Sequence, residues 1–448
     1  MNISRSTLVL SFIAWLPLMA AAASPPATQE FSLDNGLKVV VREDHRSPIV
    51  TAQLWIKVGS SYEPPGQSGL SHALEHMVYK GSSKACAGEF AAILEKLGAS
   101  ENALTGTDYT TFYQTLPSSR TGVAFEILAD LMSTAELDAQ DFALELKVIQ
   151  EERRMRVDDE IAASAHERLN SIAYPASGNR TPTFGWMHDL QRMNAVQLQQ
   201  WYQAWYSPDN ATLVVVGDVA PERIKALAQQ YFGHLQRRVT PVALAPLELA
   251  SAGERSLTLH EPVASPRLIM SFNAPSLATA LDRRTAHALR LLNMLLAGSS
   301  SARIKQQLQL GEAIFTEAHS EYDAFNRGDS LLTITTQLNP DKLNDPDEAL
   351  ARLWQVIESL KSKAPEPAEL ERAKNLLIAN TVYAQDDLER QAYNLGLLET
   401  IDLDWRLVDQ DTDELNKVTP LDIQQVAKTY LTRERLSTAK ILPEKNNG

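Results

Sequence analysis

A chain of 448 residues, 44% of them hydrophobic, is long enough to bury two sizeable cores. A formal charge of -14 argues against nucleic acid as a partner and mildly favours basic peptides. Cys86 is the one cysteine in the sequence, so stability rests on burial and not on an internal disulfide.

Residues 1–23 read as a secretory signal peptide: Arg5 gives a basic start, Leu8 to Leu18 is mostly apolar, and Ala21-Ala22-Ala23 offers a small-residue cleavage site. The apolar run is short and contains Pro17, which argues against a stable membrane anchor. Phe31 to Val41 then predicts two strands around an Asn35-Gly36 turn, and Ile49 to Val58 a third. Phe90 to Leu97 is helical, Thr110 to Leu116 strand-like, and Val123 to Ser133 and Asp138 to Val157 have helical periodicity. Trp201 to Tyr206 closes another helix, and Ala211 to Gly217 is a buried strand.

Periodicity fails between Arg237 and Gly253, around Pro241 and Pro246, which predicts an interdomain linker over 237–254. Arg255 to Leu259 and Leu268 to Phe272 follow as strands, then a helix from Asp282 to Leu296, a Gly298-Ser-Ser-Ser turn, and a strand from Ser330 to Thr336. The matching order divides the mature chain into halves, 24–236 and 255–448, and suggests an internal duplication. His287-Ala-Leu-Arg-Leu291 echoes an earlier His72-Ala-Leu-Glu75-His76; the echo is either a relic of that duplication or a coincidence of three residues.

The pentapeptide itself carries the chemistry. On a helix, His72, Glu75 and His76 project from one side, and two imidazoles one turn apart suit zinc. The order H-x-x-E-H is the inverted zincin signature, with the glutamate placed as a proton acceptor. An amphipathic helix that happens to carry two histidines is the plainer reading, and a third ligand would separate the two. Glu145 and Glu152, seven apart on a helical pattern, project in nearly the same direction as Val148, Ile149 and Met155. Glu152 amid that apolar stripe either takes a metal, pairs with Arg153 or Arg156, or lies at the stripe's edge. His45, His166, His188, His234, His260 and His319 lack partners at ligand spacing and read as packing or surface residues. Pro65-Gly-Gln-Ser-Gly69 falls short of a nucleophile elbow, and no phosphate-binding glycine motif is present.

With these motifs in place, the chain resembles the pitrilysin family of insulinase-like zinc peptidases, particularly bacterial relatives of the mitochondrial processing peptidase beta subunit. In that family the inverted motif is followed by a helical glutamate in an E-x-x-V-x-x-x-E context, filled here by Glu145, Val148 and Glu152. Glu101 to Tyr113 resembles the family's N-A-x-T segment on a substrate-facing strand, and Phe184 to Leu190 and Trp205 to Asp218 resemble the segments closing the first half. The resemblance implies an α+β fold: two homologous α/β-sandwich halves, each a mostly antiparallel sheet with helices packed on it, joined as a clamshell. It further implies one Zn2+ per chain on His72, His76 and Glu152, with Glu75 as general base and Glu145 supporting the ligands. Asn102 and Ala103 would hold an extended peptide at a sheet edge.

One departure qualifies this. Self-sufficient members carry an arginine and, seven residues later, a tyrosine that grip the substrate. Counted from Gly311, Gln307 and Ile314 stand at those positions; counted from Arg303, Gln309 and Thr316 do. The resemblance therefore implies a periplasmic catalytic subunit acting on extended or unfolded peptides, with a related non-catalytic partner supplying the arginine and tyrosine. A self-sufficient homodimer maturing a small peptide precursor, or a largely architectural subunit, are the alternatives.

Overall fold

The computed structural model describes residues 28–444, so the signal-like segment 1–23 lies outside the described residues. β1 (Thr28–Ser32) and β2 (Lys38–Glu43) form an antiparallel hairpin. Gly36 sits in its turn at φ +90, and a Cβ there would lie 2.7 Å from that of Asp209, so the turn needs glycine twice over. After β3 (Ile49–Ile56) come α1 (Leu70–Met77), α2 (Glu89–Lys96), β4 (Ser100–Thr105) and β5 (Thr110–Pro117). Then follow α3 (Thr121–Ser133), α4 (Ala139–Arg153), α5 (Ile161–Ala173), the short α6 (Met187–Leu190), α7 (Ala195–Trp205), β6 (Ala211–Gly217) and α8 (Pro221–Phe232). Asp138 caps α4 by accepting the amides of Gln140 and Asp141, and beyond Arg153 the helix loosens into a π-helical turn.

No helix or strand interrupts the chain from α8 to β7 (Arg255–Glu261). β8 (Arg267–Ala274), α9 (Arg283–Asn293), β9 (Phe315–Tyr322) and β10 (Ser330–Leu338) come next. The chain ends with α10 (Pro346–Ser362), α11 (Pro367–Ala384), α12 (Leu388–Thr400), α13 (Leu407–Asn416), α14 (Pro420–Tyr430) and β11 (Leu436–Pro443).

The two sheets share one topology. The first runs β1-β2-β6-β3-β5-β4 and the second β7-β11-β8-β10-β9. Matching β2 to β7, β6 to β11, β3 to β8, β5 to β10 and β4 to β9 superposes the orders, with β1 the one addition. Each sheet has a single parallel pair, β2 with β6 and β7 with β11, and is otherwise antiparallel. α1 and α9 lie at the same point of this scheme, so His72-Ala-Leu and His287-Ala-Leu occupy corresponding helices.

β6 is buried on both faces because each sheet has two covers. One face of the first sheet packs on helices of its own half, through Leu54, Phe112, Phe125 and Leu213. The other packs Trp55, Val214 and Val216 against Ala392 and Leu395 of α12, a helix of the second half. The reciprocal arrangement puts Ala165 and Leu169 of α5 against Ile269, Ala439 and Ile441 of the second sheet. Ion pairs follow the same seam: buried Arg42 reaches both carboxylate oxygens of Asp409, at 2.9 and 2.8 Å.

Candidate metal centre

α1 presents its histidines from a tightly fixed start. Leu70, Ala73, Leu74 and Met77 face the core, and the Glu63 carboxylate accepts the amides of Gly69 and Ser71 at 2.6 and 2.7 Å. Burial pushes the Glu63 carboxyl up to about 8, against those two hydrogen bonds. Gly69 begins the helix at φ +90, where a Cβ would meet Gly185 Cα at 3.1 Å, and Gly185 is just as crowded in return. This close approach sets Phe184 edge-on to His72, with ring centroids 4.9 Å apart. Arg153 holds the Gly185 carbonyl at 2.5 Å and pairs twice with Glu167, so α4, α5 and this loop are tied together.

His72, His76 and Glu152 converge. Glu152 Oε2 lies 3.5 Å from His72 Nε2 and 3.4 Å from His76 Nε2, and the three ligand atoms all fall within 4.8 Å of one another. Donors about 2.1 Å from a tetrahedral ion would stand roughly 3.4 Å apart, so two edges of this triangle already have the span zinc requires. Burial, with His76 adding to it, pushes His72 down to about 3, keeping its imidazole neutral as a ligand must be. The donor set fits zinc.

The supporting groups are in place too. Glu145 Oε1 lies 2.9 Å from His76 Nδ1, and its other oxygen 2.6 Å from Lys80 Nζ. Burial raises the Glu145 carboxyl, but the bonds from Lys80 and His76 overcome it and leave the group below its ordinary range. Glu75 accepts a hydrogen bond from the Thr105 hydroxyl on β4. Burial holds the Glu75 carboxyl above its ordinary range, partly offset by Thr105 and His76.

The apolar stripe expected around Glu152 is not a buried one. Ile149 is enclosed, but Val148 and Met155 are 52% and 58% exposed, so this face of α4 opens to solvent and lines a groove with Glu152 and Arg156. Neither arginine competes strongly for Glu152. Arg153 is engaged by Glu167 and Gly185, and Arg156 stands 3.9 Å away. Asn102 and Ala103 lie on β4, the edge strand of the first sheet, beside the centre. Gln307 and Gln309 lie in a π-helical turn before β9; Gln309 donates to the Thr316 carbonyl, and Ile314 is buried in the second core. In the second half His287 is buried beside Arg290 and Asp411, an ion-paired cluster in place of a ligand set. Sequence reasoning passed over Thr105, Lys80 and Glu63. Lys80, four residues past His76 on the helical pattern, was within reach of that reasoning, whereas Glu63 and Thr105 act from loop and strand positions that no helical spacing reveals.

A family model described as Insulinase (Peptidase family M16) matches residues 38–185, and one described as Peptidase M16 inactive domain matches residues 192–377. The chain belongs to peptidase family M16. Among its M16 relatives, "Zinc protease PqqE" of Helicobacter pylori is 27% identical over 361 residues, 80% of each chain. "Uncharacterized zinc protease YmxG" of Bacillus subtilis is 24% identical over 420 residues, 93% of this chain and 99% of that one. A protease from Helicobacter pylori of known crystal structure superposes with a TM-score of 0.87 at 23% identity, over 94% of this chain and all of that one, and shows the same fold. The M16 assignment bears out the resemblance to pitrilysin-like zinc peptidases and the two-half α+β architecture. Among the described residues no helix is long and apolar enough to cross a membrane.

Proposed function

We propose that this chain is a zinc metalloendopeptidase whose ligands are His72, His76 and Glu152 and whose general base is Glu75. The observation that carries the proposal is the convergence of two imidazole Nε2 atoms on one Glu152 oxygen, with the half-buried carboxylate of Glu75 next to His76 in the chain. A zinc ion held there supplies Lewis-acid activation of water and of the scissile carbonyl. Glu75 takes the proton of the attacking water and hands it to the leaving amine, and Thr105 holds its carboxylate on that task. Glu145 keeps the His76 proton on Nδ1, so that Nε2 offers its lone pair. Main-chain pairing along β4, at Asn102 and Ala103, would align an extended peptide with little demand on its sequence.

The work is assigned to the periplasm, since residues 1–23 read as a cleavable signal and a neighbour of similar fold is titled "periplasmic protease PqqL from Escherichia coli". A heterodimer with a related chain bearing arginine and tyrosine follows from Gln307, Gln309, Ile314 and Thr316 standing where a self-sufficient enzyme would carry its grip. The test is cleavage of unstructured peptides with and without a chelator. Cleavage that stops with the chelator and returns with zinc supports the reading, and cleavage indifferent to both overturns it.

A further inference from the structure

The second half keeps a cavity at the place where the first half has its candidate metal centre. α4 follows β5 and α3 and leads into α5, and α11 follows β10 and α10 and leads into α12, so α11 stands to α9 as α4 stands to α1. Between α9, α11, α12 and α13 lies a space of about 550 Å³, within the range of roughly 300–1,000 Å³ in which small-molecule sites fall. Its chemistry is not that of a metal site. Arg290 stands where Glu75 does in the pentapeptide, and Leu291 where His76 does. α11 lines the cavity with Leu377, Asn380, Thr381, Tyr383 and Ala384, none of them a carboxylate or an imidazole.

The walls and the two ends differ in what they leave unsatisfied. Leu377, Leu397, Leu407 and Val408 all line the cavity and are only half-buried, with part of their apolar surface left to solvent. At the inner end Arg290 holds both oxygens of Asp411, so that pair is closed. Asp387 and Arg390 stand at the exposed edge. Asp387 is engaged by the amides of Glu389 and Arg390 at the start of α12. The Arg390 guanidinium lies 5.5 Å over the Tyr393 ring, and among the described residues it joins no ion pair. An apolar chamber with an open cation at its edge favours a ligand divided the same way, an apolar body ending in an anion.

We infer that this cavity binds a small aliphatic acid, with its carboxylate on Arg390 and its chain among Leu377, Leu397, Leu407 and Val408. The guanidinium can meet the carboxylate with two parallel N–H donors, whereas an amine of the same length would bring a like charge to Arg390. A ligand seated here also rests on Asn394 and Leu398 of α12. Ala392 and Leu395 of the same helix cover the first sheet, so the acid braces the helix that clasps the half with the candidate metal ligands. The site owes nothing to the peptidase reading and stands or falls apart from it.

Octanoate is the probe, titrated calorimetrically into the full chain with and without a chelator. The wild-type protein should bind it saturably at one site per chain, and octylamine about tenfold more weakly. Arg390→Gln, at an exposed position, should weaken octanoate about tenfold and leave the melting temperature of the free protein unchanged. Thr381→Trp, which fills the cavity from α11, should abolish binding. Saturating octanoate should raise the melting temperature of the wild type and not that of Thr381→Trp. No saturable binding, octylamine bound as tightly as octanoate, or undiminished binding in either variant overturns the site. Binding that vanishes with the chelator overturns it too, since the acid would then sit on the metal centre.

Discussion

Glu145 lies 2.9 Å from Nδ1 of His76, and this contact decides which nitrogen of that ring faces Glu152. The carboxylate accepts the Nδ1 proton, so Nε2 is left with a free pair of electrons. Glu145→Gln weakens this orientation without emptying the space. Zinc affinity should fall by about tenfold to a hundredfold. Competition against a chromophoric chelator measures it, and an unchanged affinity would show that His76 needs no such support.

Glu75 separates binding of the metal from the reaction. Glu75→Gln should retain about one zinc per chain by elemental analysis, since the three proposed ligands are untouched, while peptide cleavage falls by about 10²–10⁴-fold. Appreciable turnover in this variant would move the role of base to another residue.

The substrate grip is where a second chain enters. Purified alone, the protein should cleave unfolded peptides weakly, and a related chain carrying the arginine and tyrosine should raise kcat/KM. The comparison is a titration of that partner at fixed enzyme. Full turnover by the single chain, unmoved by the partner, would favour the self-sufficient reading.

His287 links stability to pH. Burial pushes its folded-state value down to about 4, with Arg290 adding to the effect by donating to Nδ1 at 3.1 Å and Asp411 opposing it. An unfolded histidine titrates near 6.5, so between about 6.5 and 4 the unfolded chain binds the extra proton. This contribution is therefore complete above about pH 6.5 and declines as the pH falls towards 4, by up to about 3 kcal/mol. Urea melts across that range should show a shallower decline in His287→Gln than in the wild type.

Gly396 on α12 faces Trp55 of the first sheet, and a Cβ at that position would stand 2.2 Å from Trp55 Nε1. Gly396→Ala should force the helix off the sheet, at a cost of about 1–3 kcal/mol. A lowered melting temperature with altered tryptophan fluorescence is the expected outcome. An unshifted melt would mean that α12 seats more loosely than its packing indicates.

Much of the site was legible in sequence because its chemistry rides on helical spacing. His72, Glu75 and His76 share one turn of α1, and Glu145 and Glu152 share one face of α4. What brought these two helices together was less visible. It depends on Gly69 meeting Gly185 and on Arg153 grasping a carbonyl 32 positions away, contacts that leave no periodic trace. The strands with strong β-branched character, such as β6, stand out, whereas β9 does not: its buried residues Phe315, Ala318 and Ser320 break strict alternation at a register shift and sit among charged neighbours. Nor does any pattern along the chain announce that α5 covers the second sheet. Its apolar residues mark a buried face but not which sheet buries it.

The exchange of α5 and α12 means that covalent continuity is not what joins the halves. A protease cut among the exposed residues Val239, Val242 and Leu244 would leave each half still wearing the other's helix, and the nicked molecule should migrate as one species. Made as separate polypeptides, each half would instead offer a bare apolar sheet to whatever it met first. In that sense the chain is a pair of interlocked subunits that happen to share a gene, one keeping the full set of candidate metal ligands with Glu75 beside them and the other an arginine, Arg290, where that glutamate stands.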